Sequence, residues 1–154
     1  MKEALDNAIQ ELKRVDHLFY VSLKYTRTVD MMRHMIERLI STIDYGIESL
    51  LKHAQENKLV ANIPTNLGLK CELVKKIYSD NQEIINYMNF YMKLKKVMRA
   101  NFSKREEYRR HVTMISAVDG EIIEVSIDTL KEDYETTKNF INFIRRLLYG
   151  EEES

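Results

Sequence analysis

The sequence predicts a mainly α-helical protein: an antiparallel bundle of about five helices, with one β-hairpin at about residues 112–127 before the last helix. Three observations predict it. Apolar residues recur at spacings of three and four along most of the chain, the period of one helix face. With 44% hydrophobic and 31% charged residues but only four Gly and one Pro, the 154-residue chain has few breakers and enough length to bury a core. One domain over residues 1–150 is expected, followed by the acidic tail 151–154. Only between Val112 and Ile127 does the period change to two, around an Asp119-Gly120 dipeptide.

The first helix is expected from about Glu3 to Lys24, where Leu5, Ala8, Leu12, Val15, Phe19 and Leu23 make one stripe. The polar, β-branched run at residues 26–28 interrupts it, with Thr28 as the N-cap of the second helix; no Gly or Pro enforces that break. This second helix, Thr28 to Gln55, is the spine. Val29, Met32, Ile36, Leu39, Ile43, Ile47, Leu50 and Ala54 form its apolar face, and Arg33, Glu37, Arg38, Asp44 and Glu48 fall on wet faces. Gly46 allows a neighbouring backbone to come close, at some cost in helix propensity.

Residues 59–68 contain the only Pro and read as a loop, after which a third helix runs from about Leu69 to Tyr78. Ser79-Asp80-Asn81-Gln82 has the form of a capping box and opens a fourth helix with the stripe Ile84, Tyr87, Met88, Tyr91, Leu94, Met98. Ser103-Lys104-Arg105-Glu106 repeats that signature, which predicts a short helical turn across Lys104 to Arg109.

Asp119-Gly120 is the favoured pair for a two-residue type I′ hairpin. With those residues as the loop, Val118 faces Glu121, Ser116 faces Ile123, Met114 faces Val125 and Val112 faces Ile127. Val112, Met114, Ile123, Val125 and Ile127 then share one apolar face. A lone hairpin is marginal in water, so it must be covered by helices or extended by another strand. The last helix starts near Asp128 or Thr129, with Thr129…Glu132 as a capping box, and ends before Gly150.

Cys71 stands alone, so an intrachain disulfide is excluded, and no Cys/His cluster, Gly-rich phosphate loop, HExxH or acidic metal cluster appears. No cofactor and no metal are expected. Met1 leads directly into a charged amphipathic pattern, and no apolar run is long enough to span a bilayer, which points to a cytoplasmic protein with no membrane partner. The net charge is zero but unevenly spread. Lys93 to His111 holds eight Lys or Arg against two Glu, and Asp119 to Ser154 holds ten Asp or Glu against four Lys or Arg. Such asymmetry suits RNA binding, or mutual pairing of the two segments.

Arg105-Glu106-Glu107-Tyr108-Arg109-Arg110-His111 places a His six residues beyond an Arg, with five residues between them. With the two long helices, this resembles the HEPN superfamily (higher eukaryotes and prokaryotes nucleotide-binding), whose active members carry an Arg-x4–6-His motif. The resemblance spans about residues 1–111. It implies metal-independent RNA cleavage at a dimer interface where two copies of the motif meet, with Arg105 as the Arg and His111 as the His. A rival match is Arg27…His34, at the start of the spine.

The chemistry of these residue types agrees. Cleavage of RNA without metal needs a group that accepts the 2′-OH proton near neutral pH, which favours His, and a fixed cation for the phosphorane charge, which favours Arg. On an uninterrupted helix residues 105 and 111 point about 120° apart, so they converge only if the helix ends between them or two subunits contribute. Lys93, Lys95, Lys96, Arg99, Lys104, Arg109 and Arg110 are the candidate RNA-facing cations. His111 also has a structural reading, as the cross-strand partner of Asp128. The expected partners are a second copy of the chain, RNA, or another protein, the last in a non-catalytic role such as an antitoxin-like or partner subunit.

Overall fold

In the computed structural model, which describes residues 1–150, the three/four stripes fold as helices in the expected order; the expected acidic tail 151–154 lies outside the described residues. Helix α1 (Lys2–His17) passes through a π-helical turn (Leu18–Ser22) into the short α2 (Leu23–Tyr25), and the backbone stays right-handed helical throughout, so these segments form one continuous helix. It stops at Tyr25. Thr28 then caps α3 (Val29–Glu56), its side chain accepting from the Met31 N–H at 3.2 Å. Helices α4 (Leu67–Ile77), α5 (Gln82–Arg99) and α6 (Ile127–Tyr149) complete a set of five.

The 28-residue α3, about 42 Å long, carries the core. Met32, Met35, Ile36, Leu39, Ile43, Ile47, Leu50 and Leu51 are buried on it, against α1, α4, α5 and α6. Each such side chain contributes about 1.5–3 kcal/mol when fully buried. Gly46 makes the closest approach: a Cβ there would lie 2.9 Å from the Phe140 ring and 3.0 and 3.1 Å from Ile144 and Ile141 of α6. The Tyr91 hydroxyl of α5 donates to Asp44 of α3 at 2.5 Å.

The β region differs from the expected hairpin. Three strands, β1 (Phe102–Arg105), β2 (Thr113–Val118) and β3 (Glu121–Ser126), form an antiparallel sheet in the order β1-β2-β3. The β2/β3 register is the expected one, with Val118 opposite Glu121, Ser116 opposite Ile123 and Met114 opposite Val125. Asp119 and Gly120 both have left-handed φ, 51° and 80°, as a type I′ turn requires.

The helical turn expected across Lys104 to Arg109 is absent: residues 102–105 pair with β2 from Phe102↔Ser116 to Arg105↔Thr113. A capping signature is a local preference of ~1 kcal/mol. Pairing instead satisfies a row of backbone groups along an otherwise open sheet edge. Ile127 does not extend the hairpin opposite Val112 but begins α6, because Ser126 is the cap. Its N–H donates to Thr129 Oγ1 at 2.7 Å, and its hydroxyl accepts from the Thr129 N–H at 3.2 Å. The box therefore closes on Ser126 and Thr129 rather than on Thr129 and Glu132. Likewise Asn81, not Ser79, caps α5, accepting from the Ile84 N–H at 3.2 Å.

Arg33, expected on a wet face, is instead fixed in place. It donates to the Met98 carbonyl at 3.1 Å and lies 4.2 Å from the centroid of the Phe102 ring, which ties α3 to the end of α5 and to β1.

Candidate functional site

Because β1 and β2 are antiparallel, the chain between them must reverse. Residues 106–112 achieve this with two left-handed residues, Glu106 (φ 55°) and Tyr108 (φ 66°), and with bonds from the Arg109 N–H to the Glu106 carbonyl and from the Val112 N–H to the Arg109 carbonyl. The Tyr108 N–H donates to the Arg27 carbonyl at 2.7 Å and pins this loop to the link between α2 and α3.

A cleft of about 550 Å³ lies between the loop, that link, the sheet and the start of α6. Arg27, Arg105, Glu106, Arg110, His111, Glu124 and Asp128 line it, with Thr113, Ser126 and Ile127. Arg105 and His111 are thus brought together by a loop, not by a bent helix. The rival pair is separated: Arg27 joins this cleft, whereas His34 lines a different groove. Arg109, exposed on the same loop, does not line the cleft.

The cleft is electrostatically mixed. Three guanidiniums face three carboxylates, and Arg105 already donates to Glu124 at 3.0 Å. Among the described residues, neither Arg27 nor Arg110 has a carboxylate within 4 Å, so these two are the cations most open to an incoming anion. His111 precedes the strand instead of opening it. Its carbonyl accepts from the Thr113 hydroxyl at 2.9 Å, its side chain is exposed, and it lines the cleft with Asp128 without a hydrogen bond to it.

The other candidate cations are turned toward different neighbours. Lys93 acts on Asp133 of α6, whose carboxyl is pushed up to about 6 by burial, with Lys93 opposing the rise and Glu132 adding to it. Lys95 sits 5.2 Å from the Tyr91 ring centroid, and Lys96 donates to Asp119 at 3.0 Å. Arg99 is exposed near the end of α5, and Lys104 reaches Glu107 at 3.3 Å and Asp30 at 3.9 Å. None of these five lines the cleft.

Sequence reasoning set Asp128 near His111 but did not place Glu124 in the wall, nor Arg27 beside Arg105. The missing signal was β1. Four residues without clean apolar alternation do not announce a strand, and without it nothing brings residue 105 alongside residues 124 and 27.

Among the described residues no three His, Cys, Asp or Glu side chains gather as a metal ion would need, and no helix is long and apolar enough to cross a membrane. Comparison with protein-family models, with curated proteins and with solved structures gave no match.

Proposed function

We propose that the chain is a HEPN-like antiparallel helical bundle that binds single-stranded RNA in the 550 Å³ cleft and cleaves it there, as a cytoplasmic homodimer. The observation that carries this reading is the meeting of His111 with Arg27, Arg105 and Arg110 in one cleft. Arg27 and Arg110 hold the phosphate as planar, bidentate donors. His111 accepts the 2′-OH proton, the 2′ oxygen attacks phosphorus, and the 5′ oxygen leaves with a proton delivered by the motif of a second copy. Arg105, released from Glu124 by the competing phosphate, stabilises the phosphorane charge.

The test is incubation of matched single-stranded RNA and DNA with the protein in EDTA at low salt. RNA is cut and DNA, lacking the 2′-OH, stays intact. His111→Ala lowers the rate ~10²–10⁴-fold without a change in melting temperature. Absence of RNA binding at low salt, or cleavage indifferent to His111→Ala, overturns the reading. Light scattering that finds a monomer at high micromolar concentration removes the second copy, and with it the composite site.

A non-catalytic module with a protein partner is the second reading. It is favoured by the exposure of Tyr20, Val21 and Tyr25 around the π-helical turn, a cluster of apolar side chains that the fold leaves in solvent. Binding of RNA without cleavage in any condition would leave this reading in place.

A further inference from the structure

A groove of about 370 Å³, open to solvent, runs along the junction of α1 with α6. On α1 its wall repeats at spacings of three and four, through Ile9, Leu12 and Asp16. On α6 the repeat runs from Tyr134 through Lys138 and Ile141 to Arg145, a rise of about 16 Å. Ile9, Leu12 and Ile141 make the floor aliphatic. Ile141 is fully buried, but Ile9 and Leu12 are only half-buried, so the fold leaves a strip of apolar surface in solvent here.

The charges around that floor are unequal. Lys13 stands on the α1 rim, Lys138 and Arg145 stand on the α6 rim, and among the described residues none of the three has a carboxylate within 4 Å. Asp16 is the carboxylate in the wall, and it already accepts from the Tyr134 hydroxyl at 3.1 Å. On the α3 side of α1 the balance is different. There the buried Glu11 pairs with Arg14 and with Arg38 of α3, so those guanidiniums are engaged within the fold. Lys13, Lys138 and Arg145 are left for an outside acceptor.

We propose that this groove receives an acidic amphipathic helix of a partner protein. A helix of about three turns matches its length. Apolar side chains at i, i+3 or i+4, and i+7 lie on Ile9, Leu12 and Ile141, while carboxylates on the two flanks meet Lys13 on one side and Lys138 and Arg145 on the other. The lining disfavours nucleic acid. Tyr134, the aromatic residue in the wall, is 8% exposed and bonded to Asp16, which leaves little ring face on which a base could stack. The groove shares no residue with the cleft proposed for RNA, so each reading can fail without the other.

Amide chemical shifts are followed while a capped synthetic peptide of about 15 residues is titrated into the protein at low ionic strength, with Leu on one helical face and Glu on both flanks. Saturable shifts are expected in residues 9–16 and 134–145. The same peptide with Lys in place of Glu binds about tenfold more weakly or worse. Lys138→Glu combined with Arg145→Glu, two changes on the rim, inverts the preference, so that the Lys peptide binds more tightly than the Glu peptide. A merely structural effect would weaken both alike. Lys76→Glu, on the exposed surface of α4, leaves both affinities unaltered, as does Arg110→Gln in the other cleft. Absence of saturable shifts in the groove, or equal affinity for the two peptides, overturns the proposal. So does occupation by a second copy, seen as shifts of the same amides on dilution without peptide, or by single-stranded RNA, seen as displacement of the Glu peptide.

Discussion

The Tyr108 N–H donates to the Arg27 carbonyl at 2.7 Å, across a sequence distance that no local pattern spans. This bond carries Arg27 to a cleft whose other cations all come from residues 105–110. It also fixes Tyr108 in the left-handed region while its side chain stays 78% exposed. The backbone at this residue is therefore strained with little packing to offset it.

That strain predicts an unusual sign. Tyr108→Gly relieves a left-handed cost of ~1–2 kcal/mol and forfeits almost no burial, so the protein should be more stable by up to about 1 kcal/mol once the extra freedom of Gly in the unfolded chain is counted. Tyr108→Val, β-branched at a left-handed position, should be less stable than the parent. Urea denaturation of the two variants checks both signs; a destabilised Gly variant would mean that the ring has contacts worth more than the strain.

Gly46→Ala tests the contact between α3 and α6. Ala favours an α-helix over Gly by ~1 kcal/mol, but its Cβ would press on the Phe140 ring at 2.9 Å and on two Ile side chains. The Ile methyls can turn aside more easily than the ring can. Overpacking of this kind costs typically ~1–3 kcal/mol, so a net loss of about 1 kcal/mol is expected. Thermal unfolding measures it, and an increase in melting temperature would show that α6 gives way freely.

The helices were legible because period and caps report burial and hydrogen bonding within a few residues. The Thr28 cap, the spine and the Asp119-Gly120 register all depend on such local chemistry. Arg105 and His111 could be singled out as residue types, and they do share a cleft. What could not be read was long-range pairing. Ser103-Lys104-Arg105-Glu106 has a sound local preference for a cap, and only the β2 edge overrides it. Nothing in the sequence says that Arg105 will donate to Glu124 at 3.0 Å. The Arg14–Glu11–Arg38 triad was hidden for the same reason, since Glu11 has an ordinary position in an amphipathic pattern and its second partner lies on another helix.

Asp133 gives stability a pH dependence. Burial raises its carboxyl from an ordinary value of 3.8 to about 6, with Lys93 offsetting part of the rise and Glu132 adding to it. The folded state thus holds this proton more tightly than the unfolded chain. Its contribution to stability is complete below about 3.8 and is lost as pH rises through about 6. Asp133→Asn removes the cost of burying the ionised form. The variant should exceed the parent by about 1–3 kcal/mol at pH 7.5 and should converge on it near pH 4. Denaturation curves at the two pH values decide; an equal difference at both would assign the gain to packing.

Glu124→Gln tests whether Arg105 belongs to the RNA site or only to the sheet. The Arg105–Glu124 pair is about half exposed on both sides, and exposed pairs contribute ~0–1 kcal/mol, so the substitution should change the melting temperature little. Its effect on RNA should be larger. Losing one of the three carboxylates in the wall removes a repulsion felt by every incoming phosphate and frees the guanidinium to meet it. Affinity for single-stranded RNA should rise several-fold, and the logarithmic salt dependence should steepen by ~0.7, the increment for one additional phosphate contact on a single strand. Arg105→Ala should cost more affinity in the Glu124→Gln background than in the parent, because only there is the guanidinium free from the start. If Glu124→Gln instead weakens RNA binding, Glu124 is needed to aim Arg105 and the two act as a unit. If neither affinity nor salt slope changes, Arg105 serves the sheet alone, and the phosphate site reduces to Arg27, Arg110 and His111.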